Sequence, residues 1–303
     1  MAVDRPTSEA IRLYNRRTRS IESEQVPGGR FLTFFYGRPW GRLVARWVWS
    51  RVLFSRLYGW IFHRRFSRRQ IDRFVTQSRI DMSEVQVPNG GFQTFNEFFI
   101  RRLKPGARPI ASDPTALISP ADSRLKVIQL QNKTLLHVKG VSLTLAQLLS
   151  TETHPGQFSD GLCLQFRLAP RDYHRFGYIE DGVQSPVRVV GGRLYSVSPL
   201  ALRHMPAIWA ENHRHWCIIE TRSMGPILQI EVGATVVGSI IQHRLDGGYC
   251  HRGEEKGYFQ MGGSTVLIII QSGRAKIDDD ILNHSSKDIE TLVRYGEAVG
   301  RIQ

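Results

Sequence analysis

The sequence predicts an α+β protein: a mostly β body with helical additions, behind a basic helical N-terminal segment. Three observations predict it. Residues 30–79 are rich in Arg and aromatic side chains, short apolar runs broken by Gly, Pro, Asn and Asp dominate after about residue 90, and Val266–Ile270 is an unbroken apolar run. The 303 residues, 41% hydrophobic and 10% aromatic, allow one large or two modest domains and supply ample core, which excludes disorder for most of the chain.

Taking the elements in order, the N-terminal part is set apart by charge. The chain carries 41 Lys and Arg against 27 Asp and Glu, and between Arg30 and Arg79 stand twelve Arg, no Lys and a single acid, Asp72. Leu43, Trp47, Phe54, Leu57 and Ile61 fall near a 3.6-residue spacing, with Arg42, Arg46, Arg56 and Arg64 largely beside that stripe. This is the pattern of an amphipathic helix lying in a membrane interface, where Arg meets phosphate and Trp takes the wet edge. A helix packed on a neighbouring domain fits the same pattern, and the segment alone does not choose between them. Nucleic acid ranks lower and is not expected as a partner, since no helix-turn-helix, zinc-finger or RNA-recognition signature accompanies the charge. Residues 1–90 are therefore read as a basic helical, membrane-associating segment and 91–303 as the main domain.

The main domain begins after Val87-Pro88-Asn89-Gly90-Gly91. Leu162, Leu164, Phe166 and Leu168 alternate with Cys163, Gln165 and Arg167, and Leu228, Ile230 and Val232 alternate with Gln229 and Glu231, which predicts two half-buried strands. Val266–Ile270 predicts a strand buried on both faces. Short helices are expected near 143–149 and 200–209. A last helix is expected from about Ser286, where Ser285-x-x-Asp288 resembles a capping box and Ile289, Leu292 and Val293 share a face.

The chemistry gathers at Met261-Gly262-Gly263-Ser264-Thr265, where two glycines run into a serine at the head of the buried strand. Glycines permit unusual backbone geometry there. A Ser264 hydroxyl held against the Gly263 carbonyl could attack it and shift the acyl group from nitrogen to oxygen. Elimination of the resulting ester leaves a dehydroalanine that hydrolyses to a pyruvoyl ketone. A Gly-Gly-Ser-Thr turn before a strand is also a common structural device, so the motif alone does not decide.

Its context does. Phe95-Asn96-Glu97-Phe98-Phe99-Ile100-Arg101-Arg102-Leu103-Lys104-Pro105-Gly106-Ala107-Arg108-Pro109, Ser119-Pro120-Ala121-Asp122, Ala169-Pro170-Arg171-Asp172-Tyr173-His174-Arg175-Phe176, Gly192-Arg193-Leu194-Tyr195-Ser196-Val197 and Gly253-Glu254-Glu255-Lys256-Gly257 resemble phosphatidylserine decarboxylases in order and approximate spacing. The resemblance is strong over 92–303 and looser over the Arg-rich part. It implies a mainly antiparallel, sandwich-like catalytic core, and a homodimer. Ser264 would be the precursor of a covalent pyruvoyl cofactor, with cleavage after Gly263 giving a β chain of 1–263 and an α chain holding the remaining 40 of 303 residues. That ketone would form a Schiff base with phosphatidylserine and act as electron sink for loss of CO2, giving phosphatidylethanolamine. Asp122 would be the acid of self-processing, and His174 a group for substrate handling or proton delivery. Without the resemblance Asp122 reads as a turn cap and His174 as a core residue.

Two positions depart from the family pattern. Gly177 stands where members commonly carry a second histidine, the expected base of self-cleavage, and Ser123 stands where Gly usually follows the acid. Either His174 or another histidine takes over, or processing is slow, or the chain stays an uncleaved proenzyme. Strand geometry would put residues 174 and 177 on opposite faces, which argues against full replacement by His174, and a histidine at 177 would restore the relay if the loop has room. A non-catalytic lipid-binding relative and a decarboxylase of a free amino acid are the alternative functions.

The rest concerns location. The first thirty residues lack an apolar signal region, no uncharged apolar run approaches the about 20 residues of a membrane span, and three cysteines (163, 217, 250) suit a reducing compartment. Peripheral association with the cytoplasmic face of a membrane is expected. His213 with His215, and His243 with Cys250 and His251, have no recognised zinc spacing, so no metal is expected.

Overall fold

The computed structural model describes residues 11–24, 37–38, 41, 60–131, 135–138, 141–150, 156–202, 205, 208–234 and 239–303. The stripe from Leu43 to Leu57 lies outside these residues.

One large sheet organises the protein. Its strands, numbered in chain order within that sheet, are β1 (Ile11–Asn15), β2 (Ser20–Glu24), β3 (Ser123–Gln129), β4 (Leu162–Leu168), β5 (Gly182–Gln184), β6 (Arg188–Val190), β7 (Arg214–Thr221), β8 (Gly225–Val232), β9 (Gly248–Cys250), β10 (Ser264–Ile270) and β11 (Glu290–Val293). They lie in the order β9-β5-β7-β8-β10-β4-β3-β11-β1-β2, with β6 beside β7. All pairs are antiparallel except β1 with β11. The bounded α-helices among the described residues are α1 (Ile71–Ser78), α2 (Phe95–Phe99), α3 (Leu145–Leu149), α4 (Pro199–Leu202), α5 (Ile208–Glu211) and α6 (Asp279–Ser285). The α+β, mainly antiparallel class expected from the sequence is the one observed.

β10 lies at the centre, which explains its composition. Val266, Ile268 and Ile270 enter one apolar cluster, and Leu267 and Ile269 enter another on the opposite face. The first cluster is closed by α6 and two three-stranded sheets, one of 175–177, 255–259 and 240–242, the other of 275–277, 298–302 and 116–118. The second is closed by α3, α4 and α5. A strand covered on both faces has no use for alternation.

The same cover changes the reading of β4 and β8. Both were expected to be half-buried, yet Gln165, Arg167, Gln229 and Glu231 are buried as well. Alternation there separates an apolar face from a buried polar one, because that side is covered as well: in β8 the small sheet of 255–259 lies over it, Lys256 pairing with Glu231, and in β4 Arg167 is covered by its ion pairs with Glu24 and Glu290. The helix expected over 200–209 is broken into α4 and α5. The helix expected from about Ser286 is absent: Ser285 ends α6, Asp288 takes a left-handed φ of 58°, and Glu290–Val293 pairs as β11 between β3 and β1. Asp279 and Asp280 in the first turn of α6 fix where that helix starts, through the helix dipole. A short apolar stretch has no period of its own strong enough to resist two neighbouring strands.

β1 and β2 fall inside the stretch 1–90 read as helical, and they form a hairpin that extends the sheet. Glu24, on β2, is the reason the hairpin stays. It pairs with buried Arg124 and Arg167 at 2.7 Å each, Arg167 also chelates Glu290, and Arg124 pairs with Asp172. Side-chain burial makes this network costly to interrupt. Farther along, Phe62, Ile71, Phe92, Phe95, Phe98 and Phe99 form a third, largely aromatic cluster that docks α1 and α2 together. Ser67 joins them, its hydroxyl accepting from Phe95 N at 2.9 Å.

Candidate active site

Ser264 opens β10, fully buried, paired across the ladder with Leu168 of β4. Gly262 just before it has φ 135°, a conformation that favours glycine. The loop is held from outside the strand: Gln260 N donates to the Ser239 carbonyl at 3.1 Å, and Met261 N to Asn96 Oδ1 at 3.4 Å. The Ser264 hydroxyl lies 3.4 Å from His174 Nδ1.

His174 is completely buried, its ring centroid 4.2 Å from that of Phe99. Nε2 lies 3.0 Å from the Ala169 carbonyl, which only accepts, so Nε2 carries the proton and Nδ1 is a free lone pair facing the serine. Burial, and then the nearby Arg101, push the imidazole down to about 3, so it is neutral. The Ala169 carbonyl is itself fixed by a tight turn: Asp172 N donates to it at 2.9 Å, and Asp172 Oδ2 accepts from Ala169 N at 2.6 Å. The buried charge network thus fixes the carbonyl that His174 Nε2 meets, because Asp172 is also the partner of Arg124. The objection that residues 174 and 177 belong to opposite faces of a strand falls away, since the strand starts only at Arg175 and His174 lies in the preceding loop.

Asp122 is placed elsewhere. Arg108 grips both its oxygens, Nε at 2.9 and 3.0 Å and Nη2 at 2.7 Å, and Tyr295 N donates to Oδ1 at 2.9 Å. No hydrogen bond joins Asp122 to His174 or Ser264, so the three candidates do not form one relay. Gly177 is near Asp122 through the backbone, its N donating to the Pro120 carbonyl at 2.9 Å. A side chain at 177 has no room. Its Cβ would stand 1.9 Å from the Tyr295 hydroxyl and 2.6 Å from the Glu254 carbonyl oxygen. The ring of Tyr295 fills the space, with its hydroxyl donating to the Gly253 carbonyl at 3.1 Å.

Sequence reasoning missed the roles of Phe99, Arg101, Arg108, Asp172 and Tyr295. The first four lie inside motifs quoted above, where the signal was the motif itself. Nothing in the sequence marks Tyr295. At the described end of the basic segment, Trp60 and Phe66 are each 54% exposed and the Arg64 guanidinium sits 4.1 Å above the Trp60 ring. Among the described residues no helix is long and apolar enough to cross a membrane.

The model of one protein family, described as phosphatidylserine decarboxylase, matches residues 95–301. The chain is 38% identical over 293 residues to a phosphatidylserine decarboxylase proenzyme of Clostridium botulinum (strain Alaska E43 / Type E3), covering 96% of this chain and 98% of that one. It is 40% identical over 291 residues to a protein so described from Ruminiclostridium cellulolyticum, covering 96% and 97%. At that coverage the likeness extends through most of the Arg-rich segment as well.

Proposed function

The chain belongs to the phosphatidylserine decarboxylase family, and we propose that it converts phosphatidylserine to phosphatidylethanolamine with a pyruvoyl group made from its own Ser264. One observation carries the reading: a buried serine behind two glycines, its hydroxyl 3.4 Å from the unprotonated nitrogen of a neutral histidine. A serine hydroxyl is a weak nucleophile until a base takes its proton. His174 Nδ1 takes it as Ser264 Oγ attacks the Gly263 carbonyl carbon. The peptide C–N bond breaks, giving an ester on Oγ and a free amine that takes the proton. Elimination then removes the Ser264 Cα proton and breaks the Cβ–Oγ bond, releasing Gly263 as a carboxylate and leaving a dehydroalanine, whose imine tautomer water hydrolyses to the ketone with loss of ammonia. The ketone that remains supplies carbonyl chemistry toward the substrate amine and a sink for the electron pair released with CO2. His174 Nδ1, freed of the hydroxyl, faces the same point and holds the proton there.

Asp122 works by position in this reading. Its ion pair with Arg108 and its bond from Tyr295 N fix the Pro120–Asp122 turn, whose carbonyl receives Gly177 N and so anchors the strand that follows His174. Trp60, Phe66 and Arg64 support peripheral binding at the cytoplasmic, anionic face of a membrane, and the homodimer implied by the resemblance belongs to the same reading.

Intact mass is the test. Purified wild type should show chains of 1–263 and 264–303, the second blocked at its N-terminus and reducible by borohydride, while Ser264→Ala should give one uncut chain. An uncut wild type on which borohydride and hydroxylamine have no effect would sink the proposal and leave a lipid-binding relative. A processed enzyme that acts on free serine but not on the lipid would shift the substrate.

A further inference from the structure

Beside the Asp122 turn, the end of α1, the end of β11 and the Arg171–Tyr173 loop enclose a cavity of about 260 Å³. Arg101 lines it, only 4% exposed. Its Nη2 donates to the carbonyls of Arg171 and Asp172 at 3.0 and 3.1 Å, and its Cζ lies 4.9 Å over the Phe98 ring, which together fix the guanidinium plane. Nε and Nη1 are buried with no hydrogen-bond partner, and the group forms no ion pair among the described residues. Burial pushes its pKa down to about 10, outweighing the attraction of Asp172 and Asp122.

The surrounding charge repeats the imbalance. Arg17, Arg79 and Arg171 line the same cavity without an ion pair among the described residues, whereas every carboxylate that lines it is engaged. Asp122 is held by Arg108, Glu84 by Arg108 and Arg294, Asp172 by Arg124, and Asp81 accepts from the amide and hydroxyl of Ser83. Buried guanidinium donors without an acceptor, in a cavity with surplus positive charge, match a phosphoryl or carboxylate oxyanion. The volume admits a headgroup and leaves acyl chains outside. Tyr173 in the wall is the neighbour of His174, and Arg101 is close enough to depress that histidine's proton affinity.

We propose that this cavity is a phosphate subsite anchored by Arg101, and that its occupant is the phosphodiester of the lipid headgroup. The choice of occupant rests on the proposed decarboxylase activity; the subsite itself does not.

The test uses the full chain as Ser264→Ala, which holds the site uncut. Thermal midpoints are measured against inorganic phosphate and against sn-glycero-3-phosphoserine, with sodium chloride at matched ionic strength as control. Both anions should raise the midpoint by several degrees beyond the control, and Arg101→Gln should abolish the rise while Arg101→Lys keeps part of it. If Arg101→Gln does not fold, Arg171→Gln serves, and in the processed enzyme it should raise KM for a short-chain phosphatidylserine by roughly tenfold with the cleaved fraction unchanged. No rise beyond the salt control with either anion overturns the subsite. A rise with inorganic phosphate alone and an unmoved KM overturns the lipid occupant in favour of free phosphate. If wild type proves uncut while the phosphate effect and its loss in Arg101→Gln persist, the decarboxylase reading has failed and the subsite has not.

Discussion

The Tyr295 hydroxyl stands 1.9 Å from the point where a Cβ on Gly177 would be placed, so one residue's ring occupies the space that the other residue's side chain would need. The same Tyr295 donates its backbone N–H to Asp122. A histidine at 177 is therefore excluded sterically as well as missing from the sequence, and the acid it would bridge to is already engaged.

Restoring that histidine alone should fail. Gly177→His is expected to lose roughly 1–3 kcal/mol or more through overpacking and to leave the rate of self-cleavage no faster. Gly177→His with Tyr295→Ala should recover part of the lost stability. Urea melts and a time course of intact mass after synthesis check both; faster cleavage in the single variant would show that the ring of Tyr295 moves aside freely.

His174→Ala should abolish self-cleavage, and the pH profile of cleavage distinguishes a buried neutral base from an ordinary one. Because the imidazole is pushed down to about 3, its lone pair is present throughout the usual range. Cleavage should be flat from pH 8 to about 5 and fall only toward 3. An inflection near 6.5, the ordinary histidine value, would mean that His174 is solvated during processing.

Acid stability follows from the same burial. His174 is at about 3 and His215 at about 4 in the folded protein, so between their unfolded value of 6.5 and those values the unfolded chain binds the extra protons and stability falls as pH falls. Glu24, held at about 2 by Arg167 and Arg124, adds stability above its unfolded value of 4.5 that is lost as pH drops toward 2. Asp172, raised by burial, works in the opposite direction. Urea midpoints at pH 7, 5.5 and 4 should decline in that order, and His174→Gln should flatten the first interval. A midpoint unchanged from 7 to 5.5 would contradict the burial argument.

Removing Glu24 should be severe for a residue so far from Ser264 in sequence. Glu24→Ala leaves Arg124 and Arg167 short of an acceptor and should cost about 3–5 kcal/mol. It should also slow cleavage, since Arg124 holds Asp172 and Asp172 fixes the turn that carries the Ala169 carbonyl. Normal cleavage kinetics in a folded Glu24→Ala protein would break that link.

Vesicle binding should depend on the exposed aromatic edge of the basic segment. Trp60→Ala combined with Phe66→Ala should weaken binding to anionic vesicles, and salt should weaken it further in wild type, as each basic residue near the surface contributes about 1 kcal/mol within a Debye length. Co-sedimentation at rising salt reads both effects. Binding equal to wild type in the double variant would move the docking surface elsewhere.

Much of the fold was legible in local pattern. The unbroken run at Val266–Ile270 reads as a strand covered twice, and the short helix expected near 143–149 is α3. The alternation in β4 and β8 was legible too, but not its meaning, since whether the polar face of a strand meets water depends on what packs there. The stretch after Ser285 was misread because four residues of strand carry too little pattern to outweigh a capping-box signature, and the ladder bonds to β3 and β1 decide it.

By itself the sequence determined the family and singled out the serine behind its glycines and His174 as candidates, because these sit in contiguous motifs whose chemistry depends on residue type and local order. Tertiary structure alone decided that His174 reaches Ser264 while Asp122 does not, that a tyrosine 118 positions from Gly177 takes its side-chain space, and that Glu24 belongs to the core. Each of these is a contact between segments far apart in the chain. Such contacts are fixed by the pairing of strands and by the requirement that buried charge find a partner, and neither leaves a local mark in the order of residues.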